Sequence, residues 1–269
     1  MTTRYTHGHH ESVLRAHRWR TAENSAGYLL PHLRPGLRVL DVGSGPGTIT
    51  MDLAEAVAPG GRVTALETGA DALGLARQEA ERRGLADVDF AVGDVQALDL
   101  PDDGFDVVHA HQVLQHVPDP VQALREMGRV CRPGGLVAAR DGDYAAFTWY
   151  PEVPGLDRWL AVYREVARSN GGEPDAGRRL LSWARAAGLD DVRAGSSTWC
   201  FADAPDREWW AGLWAERVVE SDLARHAVDR GLASTAELAG IADAWHEWAE
   251  HEDGWFSLLH GEILATPGG

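Results

Sequence analysis

The sequence predicts an α/β fold built on a doubly wound, mostly parallel sheet, and three observations carry that expectation. Short apolar runs alternate with helical stripes between residues 35 and 145. Four of these runs end at, or just before, a polar residue: Asp41, Glu67, Asp94 and His111. The first run then breaks into the turn Gly43-Ser44-Gly45-Pro46-Gly47 ahead of a helical stretch. A parallel sheet is covered by helices on both faces, so its strands read as near-continuous apolar runs. Ligands of such sheets bind at the carboxyl ends of the strands, beside the switch in strand order. The four polar residues fall at those ends.

The elements follow in order. Residues 1–34 are expected to form an N-terminal helical extension. Over 12–33, Val13, Leu14 and Trp19, then Ala26, Leu29 and Leu30, share a helical face, and Pro31 with Pro35-Gly36 stops it. His7, His9 and His10 crowd together near the start without a carboxylate or cysteine at ligand spacing, so they read as a tail or lid and no metal is expected. Residues 35–145 form the core. Its first strand, Val39-Leu40-Asp41-Val42, leads to a helix from Thr48 with Ile49, Leu53, Ala56 and Val57 on one side. A strand over 62–67 precedes a helix from Ala70 to Arg83, closed by Gly84 as a left-handed cap. The segment 89–95 reads as a third strand followed by Asp94, and 105–111 as a fourth strand, then a helix over 121–131 and a fifth strand after Pro133-Gly134-Gly135.

Residues 146–269 are expected to supply substrate-side helices, a helical cap inserted before the last strand, and the last two strands. Leu156, Trp159, Leu160, Tyr163 and Val166 form one stripe, and Leu180, Trp183, Ala184 and Ala187 another. A strand over 192–201 precedes the insert, whose stripes are Trp210, Leu213, Trp214 and Val218, then Leu238, Ile241, Trp245 and Trp248. The last strand covers 255–264. No repeat or linker interrupts the pattern, so 1–269 reads as a single domain.

Composition narrows the function classes. The formal net charge of −16 repels phosphate backbones and anionic membrane surfaces, so neither nucleic acid nor membrane is an expected partner. The chain has no lysine, which excludes Schiff-base chemistry. Cys131 and Cys200 each sit in an apolar run and are expected as buried thiols. No apolar stretch approaches the ~20 residues that span a bilayer, and a cytoplasmic location is expected.

The glycine turn carries the chemistry. Glycines there let a ligand lie against bare backbone, and the following helix start presents unpaired N–H groups. The spacing is G-x-G-x-G, not the G-x-G-x-x-G of a dinucleotide fingerprint. Asp41 would repel a pyrophosphate and favour a ligand carrying an ammonium or sulfonium group.

That segment resembles motif I of the class I S-adenosylmethionine-dependent methyltransferases, and residues 34–141 are similar to that family in order and spacing. Arg62-Val63-Thr64-Ala65-Leu66-Glu67 resembles its second strand, and Asp89-Phe90-Ala91-Val92-Gly93-Asp94-Val95 its third with the adenine-binding acid. Phe105 to His111 resembles the fourth, Leu114-Gln115-His116-Val117-Pro118-Asp119-Pro120 the Leu-x-His-Val-x-Asp-Pro segment, and Arg132-Pro133-Gly134-Gly135 the turn into strand five. The wording is most similar to the UbiE-like small-molecule methyltransferases. The resemblance implies a Rossmann-like, seven-stranded sheet ending in an antiparallel pair, with S-adenosyl-L-methionine as cofactor and S-adenosyl-L-homocysteine as product. It implies Glu67 on the ribose hydroxyls, Asp94 on the adenine amino group and the Val95 N–H on a ring nitrogen. Gly43, Ser44 and Gly45 would hold the methionine part, Asp41 would face its ammonium directly or through water, and His111 would lie near the same end.

Attack on a sulfonium methyl needs alignment and exclusion of water more than proton transfer. No catalytic residue is therefore identified. His111 and His116 are the candidates for a general base, weighed against structural roles. Ten of the eleven tryptophans lie after residue 148, which suits a flat or apolar acceptor. Asp143, Tyr144, Trp149, Trp210 and Trp214 are the expected substrate contacts, whereas Trp183, Trp245 and Trp248 lie on core stripes. The expected activity is transfer of a methyl group to an oxygen, nitrogen or carbon of a small-molecule acceptor, quinone-like or a secondary metabolite. The alternatives are a non-catalytic S-adenosylmethionine-binding protein and a dinucleotide-dependent oxidoreductase.

Overall fold

The computed structural model describes residues 11–268, so His7, His9 and His10 lie outside the described residues. Helices α1 (Glu11–Arg18) and α2 (Ala22–Ala26) precede an alternating series: β1 (Arg38–Val42), α3 (Thr48–Val57), β2 (Arg62–Glu67), α4 (Ala70–Arg83), β3 (Val88–Val92) and β4 (Phe105–His111). The chain continues through α5 (Pro120–Val130), β5 (Cys131–Gly142), β6 (Thr148–Tyr150), α6 (Pro154–Ser169), α7 (Leu180–Ala187) and β7 (Asp190–Phe201). Three helices, α8 (Ala204–Glu220), α9 (Asp222–Asp229) and α10 (Thr235–Glu250), then lead into β8 (Trp255–Thr266).

The sheet runs β3-β2-β1-β4-β5-β8, with β1 to β5 parallel and β8 antiparallel to β5. On the other side of β8 lies β7, also antiparallel. The order reverses at β1, between β2 and β4, which places a binding crevice at the carboxyl ends of β1 and β4. One strand is added to the expected seven. Short β6 pairs with the first residues of β8, where Trp149 stacks on Phe256 with centroids 5.6 Å apart.

Two of the three apolar cores cover the two faces of the sheet. Alternation along β1 sends Val39 to the core shared with α2, α3 and α4, and Leu40 and Val42 to the core shared with α5 and α7. The third core belongs to α6, α8, α9, α10 and the start of β8, and it buries Trp159, Trp214, Trp245 and Trp248 completely. The cap is thus built on indoles that meet mostly edge to face, with Trp245 and Trp248 placed as the stripes predict.

Three local expectations are corrected. The helix over 12–33 is broken at Trp19-Arg20-Thr21, because Thr21 starts a new helix. Its hydroxyl accepts from the Asn24 N–H, and the Asn24 side chain accepts from the Thr21 N–H, a capping box. The helix over 121–131 begins one residue earlier, at Pro120 behind the Asp119 cap, and releases Cys131 to β5. Cys200 is exposed and only Cys131 is buried. Successive side chains of β7 point to opposite faces, so burying Trp199 and Phe201 turns Cys200 outward.

Candidate cofactor and acceptor site

A cavity of about 630 Å³ lies over the carboxyl ends of β1 to β4. Its walls include Asp41, Gly43, Ser44, Gly45, Glu67, Asp94, Val95, His111 and His116, so all the cofactor residues expected from sequence meet in one space. Each arrives at a strand tip or in the loop after it, where the chain leaves the sheet.

The turn after β1 is shaped by glycine. Gly43 has φ of +68°, and a Cβ there would stand 2.4 Å from Val113. A Cβ at Gly45, with φ of +54°, would meet nothing nearer than His17 at 3.7 Å. The bare backbone of Gly45 is therefore wall surface. Its N–H donates to Glu67 at 2.8 Å, and the Thr68 N–H donates to the other Glu67 oxygen at 3.1 Å. This pair of bonds ties the turn to the tip of β2.

Asp41 is 3 % exposed and doubly held. The Thr50 hydroxyl donates to one oxygen at 2.6 Å, and His109 Nδ1 lies 2.8 Å from the other. His109 is the cross-strand neighbour of Asp41 in the β1–β4 register, so its role follows from parallel pairing that the linear sequence does not display. Ser44 Oγ and both ring nitrogens of His111 are buried with no hydrogen-bond partner. Unsatisfied buried polar atoms on a cavity wall fit a polar ligand there. Asp94 accepts from the Gln96 N–H at 2.9 Å, a turn bond that holds the carboxylate at the cavity edge. Beside it the apolar side chain of Val92 is 60 % exposed and lines the same edge, a surface suited to a purine ring.

The other end of the cavity is aromatic. Tyr144, Phe147, Trp199, Trp210, Trp214 and Leu258 line it, with Trp19, Arg20 and Arg217. Trp19 meets Trp199 edge to face at 5.1 Å. Two expected substrate residues are absent from this wall. Asp143 is buried by its carboxylate pair with Arg178, both bonds at 2.7 Å, and fixes the chain after β5. Trp149 is spent on the β6–β8 zipper against Phe256. Sequence reasoning missed Trp19, Arg20, Trp199 and Arg217, which lie on the extension, β7 and α8 and converge only in the fold.

Burial pushes the His111 imidazole well below its ordinary value, with Arg20 adding to the effect, and pushes His116 to about 3. His260, buried under the same wall, is lowered in the same way. All three are neutral near pH 7. The unfolded chain takes up protons at these rings near pH 6.5 while the folded chain does not, so their contribution to stability is lost as pH falls below that value. Burial raises Asp141 to about 7 from 3.8, so over that span the folded chain binds the proton first and gains stability on acidification. Asp141 offsets about one histidine; the other two set the sign. Each adds about 1.4 kcal/mol per pH unit where the two states differ by one proton. The urea midpoint is expected to be lower at about pH 5.5 than at about pH 7.5. An equal or higher midpoint in acid would contradict these assignments.

A family model described as a methyltransferase domain matches residues 33–171. An uncharacterized methyltransferase of Schizosaccharomyces pombe is 35% identical over 269 residues, covering 97% of this chain and 95% of that one. The demethylmenaquinone methyltransferase of Listeria welshimeri is 34% identical over 139 residues, covering 52% of this chain and 55% of that one. In fold, the chain is similar to a Haemonchus contortus phosphoethanolamine N-methyltransferase solved with S-adenosylhomocysteine. That match has a TM-score of 0.56 and 17% identity, covering 88% of this chain and 50% of that one. Among the described residues no helix is long and apolar enough to cross a membrane.

Proposed function

This chain belongs to the methyltransferase-domain family and is an S-adenosylmethionine-dependent enzyme, and from that premise we propose that its acceptor is a small molecule with a flat, apolar ring system. One observation carries the reading: a single cavity joins the strand-end carboxylates to the aromatic wall under α8. The acidic end takes the cofactor. Glu67 holds the ribose hydroxyls, Asp94 and the Val95 N–H the adenine, and the Gly43–Gly45 backbone with Asp41 the methionine part. The bound cofactor supplies an electrophilic methyl group.

The acceptor ring lies between Trp214, Trp210, Trp199 and Tyr144. Aromatic pairing adds about 0.5–1.5 kcal/mol per contact beyond area burial and fixes the ring plane. His111 stands at the tip of β4, 5.7 Å from Trp199. Its neutral ring accepts a hydrogen bond from the acceptor's O–H or N–H and orients that group. Its low basicity makes it a positioning residue rather than a store for the proton, since an effective general base titrates near the working pH. Water is excluded by α1, whose Arg15 pairs with Glu216 on α8, closing the extension against the cap.

Methyl transfer to a panel of acceptors, followed by mass spectrometry, tests the reading. Planar phenols, naphthols and quinols are expected to turn over, and aliphatic alcohols and amines are not. Trp214→Leu is expected to lower kcat/KM for a planar acceptor by about tenfold while S-adenosylhomocysteine affinity stays within about twofold. Equal turnover of aliphatic and planar acceptors would refute the aromatic acceptor.

A further inference from the structure

Gln112 follows His111 just past the tip of β4 and lines the same cavity. Its φ is +54°, a left-handed value that is uncommon outside glycine, asparagine and aspartate. Among the described residues the other two non-glycine positions at positive φ are Asp103 and Asp191, which are of the tolerant type and are not on the cavity wall. Such strain persists where the surroundings over-determine it, and it clusters at ligand-binding positions. Here the Gln112 N–H donates to the Arg140 carbonyl at 2.7 Å, which locks the turn across β4 and β5.

The side chain is held as firmly, and its hydrogen bonds fix which way the carboxamide points. Arginine has only donors, so the carboxamide oxygen is the atom that accepts from Arg20, at 2.8 Å. The carboxamide nitrogen then faces His260 Nε2 at 2.8 Å and is the donor, so that ring nitrogen accepts. His260 therefore carries its hydrogen on Nδ1, where it donates to the Leu258 carbonyl at 3.1 Å. Burial keeps this ring neutral, as the run of donors requires. A carboxamide nitrogen has two hydrogens. His260 takes one, and among the described residues nothing takes the other.

We infer that Gln112 is a specificity-determining residue, whose second amide hydrogen donates to a carbonyl oxygen carried on the acceptor's flat ring. The inference rests on the aromatic-acceptor reading above and deepens it. His111 and Gln112 then form a complementary pair, one accepting from the group that is methylated and one donating to the carbonyl. Both lie against His260, whose ring centroid is 6.2 Å from that of His111 and 4.5 Å from that of Trp199. A donor fixed from behind by two partners has little rotamer freedom left to lose on binding. A hydrocarbon at this place would leave the amide hydrogen covered and unpaired, which is the loss that gives hydrogen-bonding sites their discrimination.

The test compares probes that differ only in one oxygen, acetylnaphthols and their isopropenyl isosteres, with hydroxyl and side group on different rings. They are titrated calorimetrically into full-length protein loaded with S-adenosylhomocysteine. At the ring position that reaches Gln112, the ketone is expected to bind about tenfold or more tightly than the alkene. Gln112→Met, close in size but without a donor, is expected to cut that ratio to about twofold or less. S-adenosylhomocysteine affinity reports whether the variant is folded. Gln112→Gly, which suits the positive φ, stands in if Gln112→Met does not bind it. Ketones that bind no more tightly than their alkenes at every ring position would overturn the Gln112 assignment and leave the aromatic acceptor standing. A ketone preference undiminished in the folded variants would also overturn it. Failure of every probe to bind the loaded protein would overturn both readings.

Discussion

Glu67→Ala is expected to weaken S-adenosylhomocysteine binding by about tenfold or more, because two losses coincide. A carboxylate that accepts from two ribose hydroxyls makes charge-assisted bonds of about 1.5–3 kcal/mol each. The same carboxylate anchors the glycine turn through the Gly45 and Thr68 N–H groups. Alanine removes the ligand's partner and frees a turn held at positive φ. Glu67→Gln keeps one acceptor oxygen and is expected to fall between wild type and alanine. Calorimetry reads the effect directly, and an unchanged dissociation constant for Glu67→Ala would remove the ribose assignment.

Trp159→Ala is expected to cost about 3–5 kcal/mol of stability, a large part of the roughly 5–15 kcal/mol that holds a domain together. Trp159 is 1 % exposed and lies at the centre of the cap core. It meets Trp214 edge to face at 4.6 Å and Trp245 at 4.9 Å. The surrounding indoles are large and rigid, so they cannot collapse into the hole, and the cavity term adds to the lost transfer energy. The consequence reaches the cavity through Trp214, which packs on Trp159 and lines the aromatic end of the cavity. Urea unfolding measures the loss, and a change below about 1 kcal/mol would show that the cap is not packed on this residue.

The part of the fold that sequence made legible is the part governed by local rules. Strand β4 was readable from Phe105 to His111 and α4 from Ala70 to Arg83, because a buried parallel strand and a glycine-capped helix each leave a continuous signature. The residues expected to hold the cofactor are legible as a set for the same reason: each lies at a strand end or in the loop just past it. Strand β6 was not legible, because three residues on the start of β8 carry no periodicity of their own. The break at Thr21 was hidden by an apolar pattern that continues across it.

The aromatic wall of the cavity divides in the same way. Trp210 and Trp214 lie on a readable stripe of α8, but Trp199 is a strand residue and Arg217 reads as an ordinary helix charge until the fold turns both inward. Asp143 looked like a site residue because it follows β5, and its neutralisation by Arg178, 35 residues later, depends on a tertiary contact. The rival dinucleotide reading was already weakened by G-x-G-x-G spacing, and the buried Asp41–Thr50–His109 cluster beneath the glycine turn leaves an anion no welcome there.

The central claim is that the acidic end of this cavity holds S-adenosylmethionine. Calorimetric titration of the purified protein with S-adenosylhomocysteine, with NADH as the control, tests it most directly. Micromolar binding of S-adenosylhomocysteine and no binding of NADH is the predicted result. No heat from S-adenosylhomocysteine, or binding of NADH in its place, would contradict the account.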